Sequence, residues 1–333
     1  MKSKADVPFG TTDDNGHWKP PYPCEYPLFS GRLSAKKLLK FLFGWGGYLW
    51  PRHLFYAGLA VATYYLFQFD MFAIALSGFT AASVLLMVLR NAVLAVAIFG
   101  GYHLLLYTLK IQGNRSKYHP DWTGRGKRFL FGSQLRDNVF RTMVTGVLTW
   151  TAYEVLYIWL LSQGVLPTVT FAQSPVWFIA FFIVIPLIRE THFYFIHKLL
   201  HTPRLMKRVH SIHHMNINPG PWSGLAMHPV EMALYFSVVL FNFFIPSHPI
   251  HFFYNIQLTA LTPAQGHTGF EGPFLKGALP TGDYFHYLHH KCVSCNFGGT
   301  TLPWDKAFGI HYNGEGKFRR IPVKMFDVKW RDK

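Results

Sequence analysis

The chain reads as an all-α integral membrane protein with about four transmembrane helices, a partly inserted helical hairpin, and a cytoplasmic helical cap that carries most of its histidines. Three observations predict this. Half of the 333 residues are hydrophobic and only 14% are charged, against about 25% in an average soluble domain. The apolar residues gather in blocks long enough to cross a bilayer, and the Lys and Arg residues lie in the polar segments between them.

The formal charge of +16 does not point to nucleic acid. A nucleic-acid binder concentrates basic residues on one continuous patch, whereas here they flank apolar runs, as suits an anionic lipid surface. Cys24, Cys292 and Cys295 do not form a disulfide framework, which fits a reducing compartment. The Cys292-Val-Ser-Cys295 spacing would suit zinc, but no second pair accompanies it, so both read as free thiols.

Residues 1–50 read as a polar, proline-bearing cytoplasmic segment without the layout of a signal peptide. From His53 to Leu109 the chain is almost continuously apolar, broken by Asp70 and Arg90. A bilayer core of about 30 Å takes about 20 helical residues, so this stretch holds at least two spans. An Arg90 within the bilayer should face the bundle. A polar loop over 110–141 follows, with eight Lys/Arg against Asp121 and Asp137, and closes an N-terminal membrane region over 51–140. Next come spans at Thr145–Leu166 and from Pro175 onward, then two shorter runs, Val230–Ile245 and Ile250–Leu261, separated by Pro246 and Pro249. These two read as a hairpin that dips partway. A histidine-rich domain over 141–312 and a basic tail over 313–333 complete the division. The positive-inside rule puts the N-terminus, the 110–141 loop and the histidine region on one cytoplasmic side, which requires two spans within 53–109.

The histidines carry the chemistry. His197 and His201 form an HxxxH pair; His210, His213 and His214 form an HxxHH triplet, repeated by His286, His289 and His290. His228 opens a His-Pro-Val-Glu run and His267 stands alone in Gly-His-Thr-Gly. Helical residues at i, i+3 and i+4 share a face, and neutral imidazole ligates iron, copper, nickel and zinc. The number of imidazoles suits two ions better than one. A helix begun at Pro175 brings His197 about 33 Å along its axis, just beyond the hydrocarbon core, and Pro203 stops it. Glu190, seven residues before His197, shares its face and is expected to orient a ligand imidazole, as is Asp283, three residues before His286.

The remaining histidines, His17, His53, His103, His119, His248, His251 and His311, read as surface or satisfied core residues. His192 stands about 140° around the helix from His197 and is not expected to ligate. Asn114-Arg-Ser116 matches a glycosylation sequon but falls in a loop read as cytoplasmic.

In this order, the HxxxH pair, HxxHH triplet, His-Pro-x-Glu run, lone histidine and second triplet resemble the fatty acid hydroxylase/sterol desaturase superfamily, over about residues 140–312. The closing stretch, Asp283-Tyr-Phe-His286-Tyr-Leu-His289-His290 with Asn296-Phe-Gly and Leu302-Pro-Trp-Asp305-Lys-Ala-Phe-Gly309, is similar to its last box. The pattern is nearest the sterol C5-desaturase and C4-methyl oxidase branch; fatty acid 2-hydroxylases carry a second HxxxH pair where this chain has His267 and Glu271. Bacterial lipid hydroxylases of the superfamily stay open as relatives.

The resemblance implies an oxidoreductase with two iron ions and O₂ as co-substrate, which hydroxylates or desaturates a membrane lipid. It implies electrons from a carrier such as cytochrome b5 or a ferredoxin with its reductase, in a bacterial inner membrane or the endoplasmic reticulum. The implied metal ligands are His197, His201, His210, His213, His214, His228, His267, His286, His289 and His290. Zinc or nickel would also occupy such a site in purified protein. A metal transporter is the competing class, but it would line a transmembrane path with histidines, whereas these cluster beyond the ends of the apolar runs.

Overall fold

A computed structural model of the chain describes residues 10–44, 48–274 and 279–318. Of the basic tail expected over 313–333, residues 319–333 lie outside the described part. Nine helical segments organise the molecule: α1 Ala35–Phe43, α2 Leu54–Ser77, α3 Ala81–Thr108, α4 Gln134–Ser162, α5 Pro175–Leu200, α6 over 203–214, α7 Pro229–Phe244, α8 Pro249–Gly266 and α9 Tyr284–Cys292. Two short antiparallel hairpins, Thr11–Thr12 with Trp18–Lys19 and Gly272–Phe274 with Leu279–Thr281, are the sheets among the described residues.

Helices α3, α4 and α5 are each long and apolar enough to cross a membrane. Helix α2, at 24 residues, is a fourth of sufficient length, about 36 Å at 1.5 Å per residue. The stretch 53–109 therefore holds two helices, divided at Gly78, where φ is 99° and a side chain is disfavoured. Thr80 then caps α3 by accepting from the Ser83 N–H, with Ser83 reciprocating. Large apolar side chains stand exposed along α3 (Leu85, Leu86, Val93), α4 (Leu148, Trp159) and α5 (Val176, Ile179). A continuous apolar exterior of this kind is a lipid-facing surface.

Arg90 faces the bundle, as expected. It pairs with Glu154 of α4, and the same carboxylate accepts from Asn91 Nδ2 at 2.9 Å and Trp150 Nε1 at 2.9 Å. A charge inside a membrane helix is tolerated when its partners are complete, and this network ties α3 to α4.

One sequence boundary needs correction, and one element gains a position. The polar loop ends before residue 141: Ser133 caps a helix at Gln134 that runs unbroken into the span, so its first two turns stand outside the apolar part. The hairpin α7–α8, read as dipping partway, lies at the heart of the packing. Helix α8 buries fourteen of its eighteen residues and packs most extensively against α2, making it the centre of the bundle. It tolerates that burial because its polar residues are satisfied: Asn255 donates to Asn242 Oδ1 at 2.8 Å, Gln257 to Thr63 at 2.7 Å, and the Thr259 hydroxyl to the Asn255 carbonyl at 2.8 Å.

The N-terminal segment holds more structure than a polar tail. Helix α1 carries Lys36, Lys37 and Lys40 beside exposed Leu38, Leu39 and Phe43 and buries no residue, which is the make-up of a helix lying in the membrane interface. Before it, His17 Nδ1 stands 2.7 Å from the Tyr287 hydroxyl on α9, and the Trp18 N–H donates to Tyr118 O at 3.0 Å. Lys117 in turn bridges Phe270, and Gln134 donates to Asn216 Oδ1 at 2.9 Å. The N-terminal segment, the 110–133 loop and the histidine region thus meet at one end of the bundle, which an even number of crossings over 53–109 demands.

Candidate metal centre

Helix α5 runs from Pro175 to Leu200 and delivers His197 and His201 to this end of the bundle. Pro203 then turns the chain into α6, which returns His210, His213 and His214 over them. Helix α9 begins at its cap Asp283, whose Oδ1 accepts the His286 backbone N–H at 3.0 Å, and presents His286, His289 and His290 from the opposite side. His267 enters from the last turn of α8.

Nine imidazoles converge in two groups. His197, His201, His210, His214 and His289 form one; His213, His267, His286 and His290 form the other. All nine are buried. Each HxxHH triplet divides the same way. The i, i+4 pair (His210/His214 or His286/His290) serves one group and the middle histidine (His213 or His289) serves the other, because adjacent helical positions diverge by about 100°.

The ring nitrogens face one another. In the first group, His197 and His210 Nε2 are 3.1 Å apart, His201 and His210 3.0 Å, and His214 and His289 3.0 Å. In the second, His267 Nε2 lies 3.0 Å from His286, 3.1 Å from His290 and 3.4 Å from His213. Four of the rings have their tautomer fixed from behind. Nδ1 of His197 donates to Phe297 O at 2.7 Å, His289 to Cys295 O at 2.6 Å, His267 to Pro263 O at 2.9 Å, and His210 to Glu231 Oε1 at 2.7 Å. A carbonyl or carboxylate accepts only, so Nδ1 carries the hydrogen and Nε2 presents a bare lone pair. Lone pairs aimed at one another repel unless a cation lies among them. Two nitrogens at roughly 2.0–2.1 Å from one ion and at right angles across it stand about 3 Å apart, which is the spacing seen. Burial holds His201, His210, His213, His214, His286, His289 and His290 well below the ordinary histidine pKa, and facing imidazoles add to the shift; burial lowers His267 to about 4. Neutral imidazole is the ligand form. The donor set fits two borderline transition-metal ions such as iron.

His228 does not join either group. Its ring turns back to cap α7, with Nδ1 accepting the Val230 N–H at 3.2 Å. The functional residue of that run is Glu231, which orients His210 and which the sequence reading passed over. Its signal was present: an acid in the first turn of a helix that follows the triplet.

Glu190 is also placed differently from expectation. Its Oε1 accepts the backbone N–H groups of Thr301 and Leu302 at 2.9 and 2.8 Å rather than an imidazole. Asp305 acts on the same strap, accepting from Phe297 N at 2.6 Å and Gly298 N at 2.9 Å. The strap begins where Val293 and Asn296, with φ of 66° and 56°, turn the chain back beneath α9. It carries the carbonyls that orient His197 and His289, so Glu190 and Asp305 position those rings at one remove. Asp283 holds the backbone of His286, not its ring. His192, set aside as a ligand, lies 2.9 Å from the Ser237 hydroxyl. Cys292 and Cys295 are free thiols.

A cavity of about 220 Å³ opens beside both groups and reaches His197, His210, His213, His267 and His286. Phe193, Ile196, Met227 and Tyr235 form its apolar wall. That is below the roughly 300–1,000 Å³ of sites that engulf a drug-sized ligand, so it encloses only part of a molecule that size.

A helical bundle with membrane-length apolar helices and a buried cage of nine imidazoles able to hold metal has the make-up of a histidine-box membrane protein. Residues 182–310 match the family model described as fatty acid hydroxylase. Over that segment the chain is similar to the fatty acid hydroxylase family, and the curated proteins it resembles include sterol desaturases and methylsterol monooxygenases. It is 28% identical over 141 residues to a Delta(7)-sterol 5(6)-desaturase of Leptosphaeria maculans, covering 41% of this chain and 38% of that protein. A Delta(7)-sterol 5(6)-desaturase of Aspergillus fumigatus is 26% identical over 224 residues, 65% of this chain and 61% of its own length. Methylsterol monooxygenase 1 of Gallus gallus is 25% identical over 150 residues, 41% of this chain and 49% of its own. The chain thus spans between about two fifths and three fifths of these relatives' length. No solved structure matches it.

Proposed function

We propose that the protein is an O₂-dependent di-iron oxidase that hydroxylates or desaturates an unactivated C–H bond of a membrane lipid. The observation that carries this is the pair of imidazole groups with inward-facing lone pairs, walled by the same cavity that Phe193, Ile196 and Tyr235 line. Two ferrous ions there would supply activation of O₂ and, with two electrons and two protons from outside, insertion of one oxygen or removal of two hydrogens, the remaining oxygen leaving as water.

The chain's own residues do the rest. Imidazoles fixed by Phe297 O, Cys295 O, Pro263 O and Glu231 hold the ligand nitrogens in place before any ion or substrate arrives. The apolar wall orients the chain segment and excludes water. Substrate would come from the bilayer, whose depth the spans α3, α4 and α5 set. The positive-inside rule puts the cage on the cytoplasmic side, because the Lys/Arg-rich 110–133 loop and N-terminal segment share its end of the bundle. That basic surface suits an acidic electron carrier, such as a cytochrome b5 or ferredoxin, drawn in by long-range attraction.

Mass spectrometry of membrane lipids from cells with and without the gene tests the reading. A lipid that gains one oxygen or loses two hydrogens only when the gene is present is expected. Unchanged lipids, with labelled iron or zinc transported in vesicles instead, would replace the oxidase by a transporter.

A further inference from the structure

Two guanidinium groups line the cavity that serves the metal centre, and neither makes a direct ion pair with a carboxylate among the described residues. Arg189 sits within the spanning helix α5, where a cation without a direct partner is costly. Its contacts are all neutral: Nε donates to Thr259 Oγ1 at 3.0 Å, and Nη2 to Thr262 Oγ1 at 3.3 Å and Leu258 O at 3.4 Å. A side-chain hydrogen bond to Tyr235, also neutral, adds to these. Arg52 approaches from the start of α2, with one hydrogen-bond contact among the described residues, to His53 Nε2 at 3.5 Å.

The carboxylates that share the cavity are otherwise occupied. Glu190 accepts from Thr301 and Leu302, Glu231 from His210, and Asp283 caps α9. A structural staple between α5 and α8 would need only a neutral donor at position 189. A second cation in the same cavity adds repulsion to the cost. Arg52 acts on Glu190 and Asp283 only through space, so an arrangement that leaves both guanidinium groups without a direct carboxylate contact is explained by an anion that enters with the ligand, and arginine's planar fork suits the paired oxygens of a carboxylate or phosphate.

Resting on the lipid-oxidase reading above, we propose that Arg52 and Arg189 form the head-group site of the substrate, which is an anionic amphiphile bearing a carboxylate or phosphate. Arg189 precedes His197 by eight residues, about 12 Å along the helix. The oxidised carbon therefore lies on the order of 12 Å from the head group.

Binding by the metal-loaded full chain in detergent micelles, without O₂ or reductant, tests this with three probes of equal tail: hexadecanoate, hexadecyl phosphate and hexadecanol. One anion is expected to bind roughly 10- to 100-fold more tightly than the alcohol, as for loss of hydrogen bonds to a charged group. Which anion binds more tightly separates carboxylate from phosphate. In Arg52→Gln and Arg189→Gln the preference falls toward unity while metal content stays at the wild-type value. Should Arg189→Gln fail to fold, Arg52→Gln decides, since Arg52 has one long hydrogen-bond contact among the described residues. Equal binding of alcohol and anions by the wild type, or a preference that survives in both variants, overturns the site. Anion preference in a protein that oxidises no lipid would keep the site and reject the oxidase; oxidation without anion preference would do the reverse.

Discussion

Nδ1 of His197 donates to the carbonyl oxygen of Phe297 at 2.7 Å, although a hundred residues separate them. The bond reaches its geometry because Asp305 grips the N–H groups of Phe297 and Gly298 from the other side. Replacing Asp305 by Ala leaves two buried donors unsatisfied, a cost of about 1–3 kcal/mol each. Asp305→Asn keeps one acceptor oxygen and should fall between Ala and wild type. Metal affinity should drop in the same order, measured by chelator competition. Equal affinity in all three proteins would show that the strap does not orient His197.

Glu231 acts on His210 directly. Loss of a carboxylate behind a ligand histidine typically costs about 10- to 100-fold in metal affinity. Glu231→Gln retains an oxygen that can accept from Nδ1 and should be milder than Glu231→Ala. Chelator competition on the two variants reads the difference, and a Gln variant as weak as the Ala variant would point to a role other than accepting from His210.

His228 offers a contrast within the same four-residue run. As the cap of α7 it should cost about 1 kcal/mol of stability when changed to Ala, with metal content unchanged. Metal analysis of His228→Ala decides between cap and ligand; loss of an ion would return His228 to the ligand set.

Much of this site was legible in the sequence, for identifiable reasons. The helix from Pro175 to His201 followed from a proline at each end and the length of the apolar run. The triplets pointed to ligands because their spacing places imidazoles on one helical face. Which histidine belongs to which group was not legible, since that depends on how α6 and α9 cross. Glu190 does share the face of His197, as its spacing required, but the strap 297–302 lies between them, and no periodicity announces a loop that returns from a hundred residues away. His228 entered the ligand set only through the family resemblance, since a single histidine carries no spacing of its own. Helix α8 read as dipping only partway because its apolar run is short; Asn255, Gln257 and Thr259 interrupt the run, yet their cross-bonds are what let it be central.

The Arg90–Glu154 pair joins two membrane helices with both side chains buried. Removing one partner of a buried pair typically costs about 3–5 kcal/mol, whereas replacing both by apolar residues is often neutral. Thermal unfolding in detergent should therefore show Arg90→Leu markedly destabilised and Arg90→Leu with Glu154→Leu largely recovered. A double variant no better than the single would mean that the charges serve something besides each other.

Anaerobic titration of the full chain with ferrous iron tests the two-ion centre most directly. Two tightly bound ions per chain are expected for the wild type. One is expected after His267→Ala, which removes the nitrogen nearest to His213, His286 and His290, and one after His214→Ala, which opens the other group. A wild-type stoichiometry of one, or two ions retained in both variants, would contradict the centre described here.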